Sequence, residues 1–366
     1  MKAQTSNQLD SIVSSTSRKR TDALPPPPPE AICEHLGIDR ITIEWLAGDG
    51  SDRCYYRLLS SELDRSLVLM QLSQSDAEKL ANNGYEWIQI GQLLQKSGIF
   101  VPQTVQTMPK FAALIIEDYG DMMMEAEAKR LLQENDIQSV KDLYHRAVLI
   151  IVQMLGIPQS QQASWCQRQF DAERFIWEMN FFAKHYLEGV LALPLTTAQK
   201  HQFQQETHRL STTLAEITPV FVHRDFHSRN IMIRDQKLAI LDFQDARLGP
   251  PSYDLVSLVF DSYVPLSTTT RQQLLDESLN LIQQEKPQFF ESIQASWRPM
   301  LLQRQLKAIG SFGYLSRVKN RGRYLQYVPK ALETLECHVL ADHRWPFLSG
   351  ELISLMRQRL NEMPTQ

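Results

Sequence analysis

Apolar and polar positions change their period once along this chain. ITIEWLAG (41–48), CYYRLLS (54–60) and SLVLMQL (66–72) alternate or run apolar over a strand's length. VPQTVQT (101–107) and KFAALIIEDYGD (110–121) predict a further pair of strands. Between them EWIQIGQLLQKSG (86–98) has helical spacing and stops at Gly98, and AICEHLGI (31–38) predicts a short helix before the first strand. The turn-rich GDGSDR (48–53) separates the first two strands. Strand, turn, strand, strand, helix, strand, strand describes a small, mostly antiparallel sheet with one helix.

Beyond residue 121 the spacing is helical. The segment 125–155 predicts two helices broken near Asn135 and Asp136, DAERFIWEMNFFAKHYLEGV (171–190) an amphipathic helix rich in aromatics, and 197–217 another. Short strand-like runs then appear at VFVH (220–223), NIMIRD (230–235) and LAILDF (238–243), and helices return from YDLVSLVFD (253–261) to the end. The seam near Tyr119 divides an expected lobe 31–119 from an expected lobe 120–366, an α+β, two-lobed arrangement with EDYGD as hinge. Residues 1–30, rich in Ser, Thr and Gln and closing on LPPPPP, bury little apolar area and are expected to form a disordered, partly polyproline II tail.

Composition narrows this little. In 366 residues, 43% hydrophobic with net charge −4, there is material for a large core but no basic block longer than RKR (18–20), so no nucleic-acid partner is expected. The four cysteines are scattered, which points to a reducing compartment. No apolar run approaches the ~20 residues that span a bilayer and none resembles a signal peptide. The expectation is a soluble, cytoplasmic protein with no membrane contact and no obligate protein partner.

One stretch interrupts the apolar runs. FVHRDFHSRN (221–230) packs two histidines, two arginines, an aspartate and an asparagine into His223–Asn230. IMIRDQKLAIL reads as a hairpin turning at Asp235 and Gln236, and it returns the chain to its start, so Asp242 should come back beside Asn230. An amide oxygen next to a carboxylate offers hard ligands for Mg²⁺, which ordinarily adds phosphate oxygens. Asp225, earlier on the loop, is placed to take a proton from an incoming hydroxyl. Base, two metal ligands and positioning are the minimum for phosphoryl transfer from a nucleotide.

The joint pattern H-x-D-x-x-x-x-N, hairpin, D-F resembles the aminoglycoside/choline phosphotransferase branch of the protein-kinase-like enzymes. HRDFHSRN, LDFQDARLGPPSYDLVSLVFDSY and LLQRQLKAIGSFGYLSRVKNRGRYLQYVPKAL are similar to the bacterial anomeric kinases of N-acetylmuramate and N-acetylglucosamine, over about residues 45–332. The resemblance implies a protein-kinase-like fold, ATP and Mg²⁺, a small amino-sugar acceptor phosphorylated at C1, and a place in cell-wall sugar recycling. It implies Asp225 as base, Asn230 and Asp242 as magnesium ligands, His223 as a brace of the loop, and Asp254 as the buried aspartate that caps the loop from the next helix. Arg224 and Arg229 would hold backbone or a substrate anion, and DFQDA around Asp245 leaves no phosphorylatable activation loop.

The nucleotide side departs from the kinase pattern. GDGSDR has Gly48 and Gly50 but no full G-x-G-x-x-G, although Ser51, Asp52 and Arg53 could aim N–H groups at phosphates. The third strand offers Met70 and Gln71 in place of the usual lysine. Arg53 is either its stand-in or a surface arginine, and Glu86 either its helix partner or an ordinary helix-start glutamate. Backbone groups of Glu117, Asp118 and Tyr119 are expected to hold adenine. For the sugar, Glu178 among the aromatics of 175–186 is the hydroxyl candidate, and Arg304 and Lys307 are cations for a lactyl carboxylate or else solvated helix charges. Two other readings stand: a phosphotransferase for an aminoglycoside, choline, homoserine or another small alcohol, and a silent kinase-like ATP-binding protein.

Overall fold

The computed structural model describes residues 24–48, 53–82, 84–160, 163–340 and 342–362; most of the expected tail (1–23) and residues 49–52 of the expected turn lie outside them. Of the proline run, Pro27 is buried and Pro29 opens helix α1 (Pro29–Leu36), where a missing N–H leaves no bond unmade. Gly37, at φ 68°, ends that helix in the left-handed region that glycine tolerates.

The chain divides into two units. The first holds α1, strands β1 (Thr42–Gly48), β2 (Cys54–Leu59) and β3 (Leu67–Gln71), helix α2 (Gln74–Ala81), and strands β4 (Thr104–Met108) and β5 (Ala113–Glu117). The five strands are antiparallel in the order β1-β2-β3-β5-β4. Alternate residues of β2 (Cys54, Tyr56, Leu58) pack with Leu69, Ile115 and the α1 residue Ile32. The inner strands β3 and β5 are buried at four of five positions each, which explains their continuous apolar runs. The short, polar α2 has no periodic signal; Ser73 caps it by accepting from the Asp76 N–H.

Helix α3 (Glu86–Lys96), which the pattern groups with the first lobe, packs with the second unit: Trp87 meets the Phe243 ring at 4.3 Å, and Gly91 lies against the same ring. The second unit continues with α4 (Met124–Gln133) and α5 (Ile137–Leu155), broken where Asn135 turns at φ 57° and Asp136 caps α5. Then come α6 (Ala172–Phe182), α7 (Thr197–Ala215), strands β6 (Val220–Val222), β7 (Ile231–Arg234), β8 (Lys237–Ile240) and β9 (Arg247–Gly249), and helices α8 (Tyr253–Val259), α9 (Thr268–Glu285), α10 (Pro287–Arg317), α11 (Val328–His338) and α12 (Leu352–Glu362). β6 pairs with β9 and β7 with β8, both antiparallel. Helix α10 approaches α6 so closely that a Cβ on Gly310 would stand 2.5 Å from the Cα of Phe182. Among the described residues no helix is long and apolar enough to cross a membrane.

Candidate active site

The polar loop runs from the end of β6 to the start of β7, and α8 together with the residue two beyond its end holds both of its ends. Asp254, buried in the first turn of α8, accepts from the backbone N–H groups of His223 (2.7 Å) and Arg224 (3.0 Å). Asp261, seven residues on, accepts from the Ser228 N–H at 3.0 Å. His223 is fully buried: its Nε2 donates to the Leu241 carbonyl at 2.9 Å and its Nδ1 accepts from the Asp225 N–H at 3.3 Å. The carbonyl can only accept, so Nε2 carries the proton. Burial pushes this imidazole down to about 4, and it stays neutral. Arg224 sits at φ 83°, a left-handed conformation an L-residue rarely adopts, and both its backbone N–H and its side chain, 3.1 Å from Asp245, fix it there.

The β7–β8 hairpin runs in register from Ile231↔Ile240 to Arg234↔Lys237 and closes through Asp235 and Gln236, both at positive φ. The Leu241 N–H then donates to the Asn230 carbonyl at 2.8 Å, which sets Asp242 one residue past the point where the two strands meet. Asn230 donates its Nδ2 to the Asp225 carbonyl at 2.9 Å, turning its amide oxygen the other way. Asp242, at φ 61°, accepts from Gln244 Nε2 at 2.7 Å. An amide oxygen and a carboxylate at the mouth of one hairpin are the hard-oxygen pair that fits Mg²⁺, with water and phosphate oxygens completing the shell.

Asp225 is flanked by cations. Lys307 Nζ lies 3.4 Å from its carboxylate, and Arg304 Nη2 and Arg224 Nε at 3.9 Å each; Lys307 and Arg304 come from α10, one turn apart. Burial alone would raise the Asp225 carboxyl, but Lys307, then Arg224 and Arg304, outweigh it and hold it well below the usual carboxylate range. Asp225 is thus a firm carboxylate, better at orienting a hydroxyl than at competing for its proton early.

The other sequence-derived residues are placed as follows. Glu178 is 1% exposed and accepts from Gln303 Nε2 at 2.8 Å, with Arg174 at 3.6 Å, so it lies behind a surface rather than on one. Arg229 grips Glu125 at 2.6 and 2.9 Å, donates to the Tyr327 hydroxyl at 2.6 Å and lies over the Tyr263 ring at 4.1 Å. In the first unit, Gly48 pairs with Cys54 at the end of β1, Arg53 is buried against Asp76 at 3.0 Å, and Asp118 accepts from Arg57 (2.6 Å) and Ser66 (2.7 Å). Gln71 is buried too, donating to the Phe111 and Ala112 carbonyls. Glu117 ends β5; in the second unit Tyr119 stacks under Arg234, and Glu86 faces Arg168 at 3.7 Å. Gly50 and Ser51 lie outside the described residues. Asp261, two residues past the end of α8, escaped the reading of the sequence, because its contact with the Ser228 N–H is made only by packing.

A small antiparallel sheet in one unit, and a helical second unit bearing this loop and hairpin, define the protein-kinase-like fold. The chain belongs to the phosphotransferase enzyme family, whose profile matches residues 42–289. It is 26% identical over 299 residues to the N-acetylmuramate/N-acetylglucosamine kinase of Neisseria meningitidis serogroup B, covering 80% of this chain and 84% of that one. The enzyme of the same name from Pseudomonas aeruginosa is 27% identical over 336 residues, covering 85% and 88%. An ADP-bound aminoglycoside phosphotransferase shares the fold with a TM-score of 0.55 at 16% identity, over 85% of this chain and 98% of that one. The chain is a kinase that transfers a phosphoryl group to a hydroxyl acceptor.

Proposed function

We propose that the protein phosphorylates the anomeric hydroxyl of N-acetylmuramate and N-acetylglucosamine, with ATP as donor. The observation that carries this is the gathering of Asp225, Asn230 and Asp242 by one loop and one hairpin, in a chain whose relatives are named as kinases of these two sugars. Asp225 accepts a hydrogen bond from the anomeric O–H and aligns its oxygen with the γ-phosphorus. The O1–P bond forms as the bond from the γ-phosphorus to the β,γ-bridging oxygen breaks, and the hydroxyl proton passes to Asp225 late, as charge builds on the acceptor oxygen. Mg²⁺ held by Asn230 and Asp242 would supply neutralising charge to the donor phosphates. Lys307 and Arg304 add fixed positive charge beside the reacting oxygen.

On the nucleotide side we propose backbone contacts from the turn 48–53 and from Glu117, Asp118 and Tyr119. The side chains of Arg53 and Asp118 already serve Asp76, Arg57 and Ser66, which favours main chain over side chain in that role. The two units would then be the nucleotide-binding and catalytic lobes, and the product would feed reuse of cell-wall sugars in the cytoplasm. Three cations around Asp225 fit an uncharged or acidic acceptor and repel a cationic one such as an aminoglycoside or choline.

ATP consumption should be measured on both sugars, an aminoglycoside, choline and homoserine. Turnover of the two sugars with loss of their reducing ends is expected; turnover of a cationic acceptor alone would sink the reading. Asp225→Asn should lower kcat by roughly 10²–10⁴-fold, and wild-type rates in that variant would remove Asp225 from the chemistry.

A further inference from the structure

β9 sets Arg247 directly opposite Val222, so it lies across the pair of strands from the start of the catalytic loop. Its side chain is 9% exposed, with Nε donating to the Asp245 carbonyl at 3.3 Å and the guanidinium 5.1 Å from the Phe170 ring centre. Among the described residues no carboxylate pairs with that guanidinium. Two other arginines converge on the same aspartate. Arg224 Nη1 stands 3.1 Å from the Asp245 carboxylate. Arg168 Nη1 stands 3.9 Å from it, while its Nη2 donates to the Gln244 and Ala246 carbonyls. The backbone fixes this meeting: the Leu248 N–H donates to the Arg168 carbonyl, and the Phe170 N–H to the Leu248 carbonyl, both at 2.9 Å.

The charges do not balance. Arg168 faces Glu86 and Asp245, Arg224 faces Asp245 and Asp225, and Asp225 is shared with Lys307 and Arg304, so five cations, Arg247 included, meet three carboxylates, and among the described residues Arg247 has none of its own. A buried, unpaired cation is costly, and more so beside two of its own kind. Burial and the nearby Arg224, partly relieved by Asp245, with Arg174 and Arg168 adding to the repulsion, push the Arg247 guanidinium down to about 10. An excess of positive charge presented by the forked donors of Arg247 suits a carboxylate with its two oxygens. Arg224 also reaches toward the catalytic carboxylate, with Nε 3.9 Å from Asp225, so an anion held here lies one guanidinium away from the reacting hydroxyl.

We infer that Arg247, with Arg224 and Arg168, forms a carboxylate-binding subsite that takes the acidic substituent of the acceptor sugar. This rests on the reading of Asp225 as the residue that faces the acceptor. It transfers recognition of the acid from Lys307 and Arg304, which Asp225 already engages, to a group of arginines around Asp245. N-acetylmuramate and N-acetylglucosamine share a ring and an acetamido group and differ by the lactyl ether with its carboxylate, so together they isolate the subsite.

The full chain and its Arg247→Gln variant are compared on both sugars. The ratio of kcat/KM for N-acetylmuramate to that for N-acetylglucosamine should fall roughly tenfold to hundredfold, chiefly through KM for the acidic sugar. An unchanged ratio would overturn the subsite. If Arg247→Gln does not fold, Arg247→Lys keeps the charge and loses the fork; a selective rise in KM for N-acetylmuramate upholds the subsite, and equal changes for both sugars overturn it. Should the wild type phosphorylate neither sugar, the functional reading fails, and titration with lactate by calorimetry decides the subsite on its own. Binding that weakens in the Arg247 variant upholds it; binding that is absent in the wild type, or equal in both proteins, overturns it.

Discussion

Asp225 owes its character to residues the loop does not contain. Its carboxylate faces Lys307 and Arg304, some 80 residues on, and these with Arg224 hold it ionised well below the ordinary aspartate range. The acidic limb of the pH–rate profile should therefore lie lower than a free aspartate would place it, near ~3.9. Lys307 is the largest of the forces that lower Asp225, so its removal acts in one direction. In Lys307→Met the Asp225 pKa rises and the acidic limb of kcat/KM moves to higher pH, together with a fall in kcat from lost charge beside the reacting oxygen. A pH–rate profile carried from pH 8 down to the lowest pH at which the protein stays folded separates the two effects; an unmoved limb would mean that Lys307 does not set Asp225. At this scale the sequence was legible in part. Asp225, Asn230, Asp242, His223 and Asp254 stand in one short pattern whose hairpin can be counted out. The partners of Glu178 and Arg229 could not be counted out, because Gln303 and Glu125 lie more than a hundred residues away and meet them only through packing.

Among the elements, α10 carries the site's cations and α6 sets where they stand. Gly310, one turn beyond Lys307, lets α10 close on Phe182, and at Gly313 an added Cβ would stand 2.5 Å from the carbonyl oxygen of His185. An alanine at 310 gains helix propensity, worth up to ~1 kcal/mol, but forces its Cβ onto backbone that cannot yield as a flexible side chain would. Overpacking of this kind costs ~1–3 kcal/mol. Gly310→Ala should lower the thermal midpoint and reduce kcat as Lys307 shifts, whereas Gly322→Ala, with nothing within 4 Å of the added methyl, should leave the midpoint nearly unchanged. Equal midpoints for the two variants would show that the α6–α10 approach is slack. The hairpin and the sheet were readable because a period of two and a turn leave a local signature. Helix α2 was not, being two polar turns, and neither was β9, whose three residues are too few to show a period. The convergence of Arg247 on Arg224 follows from the pairing of β6 with β9 and has no local signal at all.

Across the whole molecule the strand-rich and helix-rich regions were legible from the change of period, while the allegiance of α3 was not. Its apolar stripe of Trp87, Ile90 and Leu94 says that the helix is buried on one side, and only packing says that Phe243 is what covers it. The same separation of pattern from partner governs stability against pH. His223 is held at about 4 by burial, far below its ordinary ~6.5, so between those values the unfolded chain binds a proton that the folded protein refuses, and stability rises with pH. Asp254 is pushed up to about 7 by burial, against the pull of its two backbone donors. Between ~3.9 and that value the folded protein keeps a proton the unfolded chain has lost, and stability falls as pH rises. In the shared window the two contributions cancel, leaving the gain from the other lowered imidazoles, among them His227, brought down to about 4 by burial, with His185 and His338 lowered in the same direction. Asp254→Asn removes the falling contribution alone. Although the variant will be less stable at every pH, its unfolding free energy from denaturant titrations should climb more steeply between pH 4.5 and 6, by about 1.4 kcal/mol per pH unit. A slope equal to that of the wild type would mean that Asp254 is ionised in the folded protein and that the loop is held by a full negative charge.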